Sequence, residues 1–224
     1  MPESAARHGT RAVLFDFDGT FADTAPDLGA AVNRLRAARG LPALSVGDVR
    51  PYASSGARGL LRVGLGLSPG DGDYERMRDA FLEHYGANLC VDTRLFPGVE
   101  ALLAELKTRG IKWGIVTNKA TRFTAPLVSA LGIAPDCVVC GDTTPHSKPH
   151  PAPLLHAAGE LALAPESCCY LGDDLRDVQA AHAAGMRAIA VGWGYHGIDD
   201  DGPASWGADA IIAGPLDVLD HLQP

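Results

Sequence analysis

The chain has 224 residues, 46% of them hydrophobic and 21% charged, with a formal net charge of −8. That length suits one sizeable core plus a smaller lobe, and the acidic balance, with no readable basic patch, argues against nucleic acid as a partner. No stretch approaches the ~20 apolar residues that span a bilayer, and the start, MPESAARHGT, lacks the apolar centre of a signal peptide, so a cytoplasmic protein with no membrane partner is expected.

Residues 11–15 form a short apolar, strand-like run that stops at the acidic segment Asp16-Phe17-Asp18-Gly19-Thr20. Thr24, Pro26 and Asp27 then read as a helix start: a hydroxyl cap, an early proline and an acid in the first turn. From there to about residue 91 only helical patterns occur, over 27–39, 55–66 and 72–89. After Phe96-Pro97-Gly98 the texture changes. Helices over 100–109, 121–131, 151–161 and 175–184 alternate with strands over 111–116, 137–140, 168–171, 187–191 and 209–212, before a terminal helix. Such alternation predicts an α/β protein with a parallel sheet covered by helices on both faces. No short helix leads from the first strand straight to a second. Residues 23–91 therefore read as a helical insertion, and residues 1–22 with 92–224 as a core domain interrupted once.

The cysteines, Cys90, Cys137, Cys140, Cys168 and Cys169, are odd in number in a chain too large to need staples, so reduced thiols are expected. Cys137 and Cys140, with His146 and His150 downstream, invite a zinc reading. A buried strand fits better, because residues three apart on a strand point to opposite faces.

Four clusters fall where strands should end: Asp16 and Asp18; Thr117-Asn118-Lys119; Lys148 before Pro149; and Gly172-Asp173-Asp174-Leu175-Arg176-Asp177. In an open parallel sheet the carboxyl ends of the strands share one crevice, so these clusters can meet in space. Several carboxylates in one low-dielectric crevice repel each other, and Mg²⁺ with oxygen ligands is the usual neutraliser. One carboxylate is then available to attack phosphorus. A second can protonate a basic alkoxide leaving group. Asp16 and Asp18 satisfy both demands. Lys148 would neutralise charge on the transferring phosphoryl group, while the Thr117 hydroxyl and nearby backbone N–H groups would hold its oxygens.

In this order the segments DFDGT, TNK, KP and GDDLRD resemble the four signature motifs of the haloacid dehalogenase superfamily, and the resemblance covers nearly the whole chain. It implies a Rossmann-like, doubly wound core with a helical cap inserted after the first strand, and a small phosphomonoester as substrate. Asp16 resembles the nucleophile and Asp18 the general acid/base. Thr117 and Lys148 resemble the phosphate-binding hydroxyl and lysine. Asp173 resembles the carboxylate that holds Mg²⁺ with Asp16 and the Asp18 carbonyl, and Asp177 an acid that orients the site. Asp174 leaves open which of the two adjacent aspartates dominates coordination. Gly19 and Asn118 are expected at the substrate.

The insertion resembles the cap of the phosphoglycolate phosphatase-like branch, with Phe21 where an aliphatic residue is usual. Ser54-Ser55-Gly56-Ala57-Arg58 resembles its specificity loop, so Ser55, Gly56 and Arg58 are candidate substrate contacts. The segments SGAR, GDDLRD and SWGAD also resemble the N-acetylmuramic acid 6-phosphate phosphatases of peptidoglycan recycling. A dehalogenase is disfavoured because a halide leaves without a proton and would not need Asp18. A β-phosphoglucomutase-like phosphotransferase shares all four motifs. A non-enzymatic binding module predicts the loss of a catalytic position, and none is lost.

Overall fold

The computed structural model describes residues 9–197 and 201–222; residues 1–8, in which the sequence shows no apolar signal segment, lie outside it. Six parallel strands form one sheet: β1 (Ala12–Phe15), β4 (Lys112–Val116), β5 (Cys137–Val139), β6 (Cys168–Gly172), β7 (Arg187–Val191) and β8 (Ala210–Ile212), in the order β5-β4-β1-β6-β7-β8. β1 is central, with Phe15 in register with Ile115 of β4 and Leu171 of β6.

The strands are apolar throughout because both faces are covered. Ala12, Leu14, Cys168 and Tyr170 point into one core cluster, while Val13, Phe15, Cys169 and Leu171 point into the other. The period of two thus splits the Cys168-Cys169 pair between opposite faces. Cys137 joins the first cluster, and all five cysteines are free thiols. Helices α5 (Val99–Thr108), α6 (Thr121–Ala130), α7 (Ala152–Glu160) and α8 (Leu175–Ala183) connect the strands. The expected terminal helix is a 3₁₀ helix over Pro215–His221. Among the described residues no helix is long and apolar enough to cross a membrane.

Between β1 and α5 the chain leaves the sheet through β2 (Ala22–Asp23) and returns through β3 (Arg94–Leu95), which pair antiparallel. The excursion contains α1 (Ala25–Ala37), α2 (Val46–Val49), a 3₁₀ helix over Arg50–Ser55, α3 (Gly56–Leu65) and α4 (Tyr74–Gly86). These helices enclose a third hydrophobic cluster of their own, including Leu28, Val32, Leu60, Leu61 and Phe81. Helices α1 and α3 pack so closely that a Cβ on Gly64 would lie 2.3 Å from Val32. The helical turns over 46–55 escape the periodicity reading. They are too short to show a period, and a Ser45/Asp48 capping box starts them.

Of the expectations at the start of α1, Asp27 is the acid of the first turn, and the Thr24 cap is corrected. The Thr24 hydroxyl does not cap the helix; it donates to Asp18 Oδ1 at 2.5 Å. Asp27 does more than meet the helix dipole. It is buried and accepts from the backbone N–H groups of Val91, Asp92 and Thr93 and from the Thr93 hydroxyl, at 2.6–3.1 Å. One carboxylate thereby ties the outgoing helix to the returning chain. Asp27→Ala strands three backbone donors, and hydrogen bonds to charged groups contribute roughly 1.5–3 kcal/mol each before compensation by water. The variant is expected to lose about 3 kcal/mol of stability, read as a shift of the urea midpoint at unchanged slope.

Candidate active site

β1 ends at Phe15, and in the loop that follows Phe17 is buried while Asp16 and Asp18 line the crevice above β1, β4 and β6. This is the position where the strand order switches direction, the usual place for a site in an open α/β sheet. Phe21 stacks on Trp113 at 5.3 Å and on Phe17 at 6.1 Å, which accounts for an aromatic residue there. Gly19 has φ +87°, and a Cβ on it would lie 2.2 Å from Asp173 Oδ2. The position therefore accepts only glycine and lets the β1 loop touch the β6 loop.

Lys148 lies at the centre. Its ammonium is 2.8 Å from Asp16 Oδ1 and 2.7 Å from Asp177 Oδ1, and it donates to the Tyr170 hydroxyl at 2.6 Å. Tyr170 in turn donates to the Val116 carbonyl. Burial works against the Lys148 charge, but Asp16 and Asp177 outweigh it and hold the pKa above the ordinary lysine value. Asn118 brackets the Lys148 backbone: its Nδ2 donates to the Lys148 carbonyl and its Oδ1 accepts from the Lys148 N–H, both at 2.9 Å. Asn118, expected at the substrate, lines the cavity while its amide holds the Lys148 backbone. Thr117 is buried at the end of β4 and its hydroxyl accepts from the Lys119 N–H.

Asp16, Asp173 and Asp177 each offer an oxygen within 4.8 Å of the others. Asp173 is 1% exposed and among the described residues meets no cation; it accepts from the hydroxyls of Thr20 and Ser54 and from the Tyr195 N–H. Burial first, and then the charges of Asp16 and Asp177, push its pKa well above the carboxylate range. Three carboxylates facing one ammonium leave a surplus of negative charge, and an all-oxygen donor set fits a hard divalent cation. Asp174 is excluded from this group. It caps α8 by accepting from the Arg176 N–H and pairs with the Arg176 guanidinium at 2.7 and 2.8 Å. Of the two adjacent aspartates, Asp173 is the one whose oxygen lies with those of Asp16 and Asp177, while Asp174 is engaged by Arg176.

A cavity of about 350 Å³ opens from Asp16 toward the inserted helices. Ser55 and Gly56 line it, and Phe81, Leu82, Tyr85 and Phe123 form an apolar wall. Arg58 does not line it. That side chain is exposed and lines a second cavity with Tyr52 and Leu175, which borders the first through Ser54, Ser55 and Asp174. The cations around the inner cavity are Lys119, Arg122, Lys148 and Arg176. Lys119 carries the clearest signal that sequence reasoning passed over. It directly follows Thr117-Asn118, and its ammonium contacts both oxygens of Asp18.

A model described as haloacid dehalogenase-like hydrolase matches residues 13–191. An N-acetylmuramic acid 6-phosphate phosphatase of Pseudomonas aeruginosa is 42% identical, covering 95% of this chain and 95% of that protein. A phosphoglycolate phosphatase of Xanthomonas campestris pv. campestris is 44% identical over 92% and 93% of the two chains. The crystal structure of a predicted phosphoglycolate phosphatase from Haemophilus somnus superposes with a TM-score of 0.82 at 28% identity, over 97% of this chain and 99% of that one. With the motif-bearing segments gathered in one crevice and the match running through nearly the whole sheet, the chain belongs to the haloacid dehalogenase-like hydrolase family.

Proposed function

We propose that the chain is a Mg²⁺-dependent phosphomonoesterase in which Asp16 is the covalent nucleophile. The observation that carries this reading is the Asp16 carboxylate at the mouth of the cavity, 2.8 Å from a buried ammonium that also holds Asp177. An Asp16 oxygen attacks phosphorus, the bond from phosphorus to the ester oxygen breaks, and Asp18 gives its proton to the departing alkoxide. Asp18 then takes a proton from water as that water attacks the aspartyl-phosphate, releasing phosphate and the Asp16 carboxylate. Lys148 and the Thr117 hydroxyl hold the phosphoryl oxygens throughout. Asp16, Asp173 and the Asp18 carbonyl would hold Mg²⁺, and Asp177 would orient Lys148. The ion supplies charge neutralisation for an incoming phosphate dianion.

The names of the relatives point to two substrates, 2-phosphoglycolate and N-acetylmuramic acid 6-phosphate. Both stand as proposals, and the cavity pulls in two directions. Its 350 Å³ falls at the lower end of the roughly 300–1,000 Å³ typical of ligand pockets, and its apolar wall would go uncontacted by a two-carbon acid. Side-by-side kcat/KM on the two esters decides between them.

Asp16→Asn is expected to abolish turnover on every ester, and the hydroxylamine-labile phosphate trapped on the native protein by rapid quench should be absent from the variant. Residual turnover with undiminished trapping would remove Asp16 from the role. Chelation is expected to abolish activity, with Mg²⁺ restoring it; full activity of metal-free protein would contradict the donor set. Arg122 lines the cavity with its guanidinium 4.6 Å over the Phe123 ring, whereas Arg58 faces elsewhere. Arg122→Ala is therefore expected to raise KM for a carboxylated ester about tenfold, and Arg58→Ala by less than about twofold. Steady-state kinetics on both variants measures the contrast.

A further inference from the structure

Lys119 has no part in phosphoryl transfer as written for Asp16, Asp18, Thr117 and Lys148, yet it is built into the same cavity. Its side chain is only 9% exposed. Its ammonium lies 2.8 and 3.0 Å from the two oxygens of Asp18. On the other side it sits 4.8 Å over the ring of Tyr85, a residue of α4 in the helical insertion. Tyr85 is itself fixed, stacked on Phe81 at 6.3 Å and tilted against Phe123 at 5.5 Å. The Lys119 N–H donates to the Thr117 hydroxyl, so the ammonium is tethered at its backbone end as well.

Asp18 depends on few other contacts. The Thr24 hydroxyl donates to one of its oxygens, and a single hydroxyl leaves the plane of a carboxylate free to turn. A cation touching both oxygens fixes that plane. The cation–π contact with Tyr85 keeps the ammonium from swinging out to solvent.

We propose that Lys119 is a positioning residue for Asp18. It holds the carboxylate in the orientation from which Asp18 takes the proton of the attacking water during hydrolysis of the phosphoenzyme. In that step the water oxygen bonds to phosphorus, the bond from phosphorus to Asp16 breaks, Asp18 accepts one proton and Lys119 keeps all of its own. The inference rests on the aspartyl-phosphate reading above.

The test is a double-mutant cycle on the full-length protein with Mg²⁺, using p-nitrophenyl phosphate and 2-phosphoglycolate. Lys119→Met is expected to lower kcat about tenfold, part of the roughly 10²–10⁴-fold that acid–base help provides, without raising KM, and to accumulate trapped phosphoenzyme. In an Asp18→Asn background the same change is expected to cost less than about twofold, because the group being positioned has gone. Lys119→Arg, which keeps the cation, is expected to recover most of the rate. If the methionine variant folds poorly, Lys119→Gln, which removes the charge and keeps a polar side chain, carries the test with the same expected loss of kcat at unchanged KM. Additive losses in the cycle, or a raised KM at unchanged kcat, would overturn the proposal, the latter by making Lys119 a substrate contact. Native protein that traps no phosphate at all would instead overturn the covalent reading, and this inference with it.

Discussion

The site depends on one interaction, the Lys148 ammonium held between Asp16 and Asp177. Removing one partner of a buried, paired charge commonly costs about 3–5 kcal/mol, because the other is left uncompensated. Lys148 therefore stabilises the cluster as well as serving it. Its own position is over-determined. Asn118 brackets its backbone from the β4 loop, and Tyr170 on β6 receives its proton-bearing end while bonding across to the β4 carbonyl of Val116. Three strands and one loop, distant in sequence, are pulled to a common point by a single side chain. That point lies above the central strand, where the strand order turns in opposite directions.

Asp173 stands outside this pairing and links the chemistry to the helical insertion. Its two oxygens are contacted by Thr20 from the β1 loop, Tyr195 from the loop after β7, and Ser54 from the insertion. The Ser54 carbonyl also accepts from Arg176, which Asp174 holds in place. Tyr195 reaches further. Its hydroxyl donates to Asp23 and accepts from the N–H groups of Thr24 and Ala25, where the chain leaves the core. Arg50 pairs with the same Asp23 through both guanidinium ends. The crossing point, the insertion's loop and the unneutralised carboxylate thus form one polar network. Movement of the insertion would alter the donors that Asp173 can use.

Much of this was legible in the sequence because it rests on local signals. The strands announce themselves as short β-rich runs bounded by glycine, and the four acidic, hydroxyl and basic clusters fall at their ends. Gly19 could be read as a turn residue, but only the fold shows that Asp173 fills the space a Cβ would take. What escaped depends on direction or on distant partners. Arg58 and Arg122 are both surface arginines near the right segments, and nothing local says which faces the cavity. Asn118 sits inside the Thr117-Asn118-Lys119 cluster, and only the fold shows its amide bonded to the Lys148 backbone. Tyr170 reads as a core strand residue, since its ring is buried and only its hydroxyl reaches the site. Thr24 has the composition of a helix cap, but Asp18, six residues earlier, competes for its hydroxyl and prevails because a carboxylate is the stronger acceptor.

The overall charge of −8 and the chemistry of the cavity are reconciled by how the charges are distributed. Asp23, Asp174 and Asp177 are each matched at close range by Arg50, Arg176 and Lys148, so each of these acids fixes a cation near the cavity or its hinge. Screening over about 8–10 Å at physiological salt weakens the remaining surface acids at that distance, whereas a partly enclosed crevice with apolar walls preserves short-range fields. An anionic ester in the cavity therefore meets Lys119, Arg122 and Lys148 in the same lining as Asp16. The same distribution assigns different work to the two lobes. The core supplies every charged residue of the cavity lining, whereas the insertion supplies the apolar Leu28, Phe81, Leu82 and Tyr85 and the loop residues Ser54, Ser55 and Gly56, a lining with apolar surface to offer a carbon skeleton.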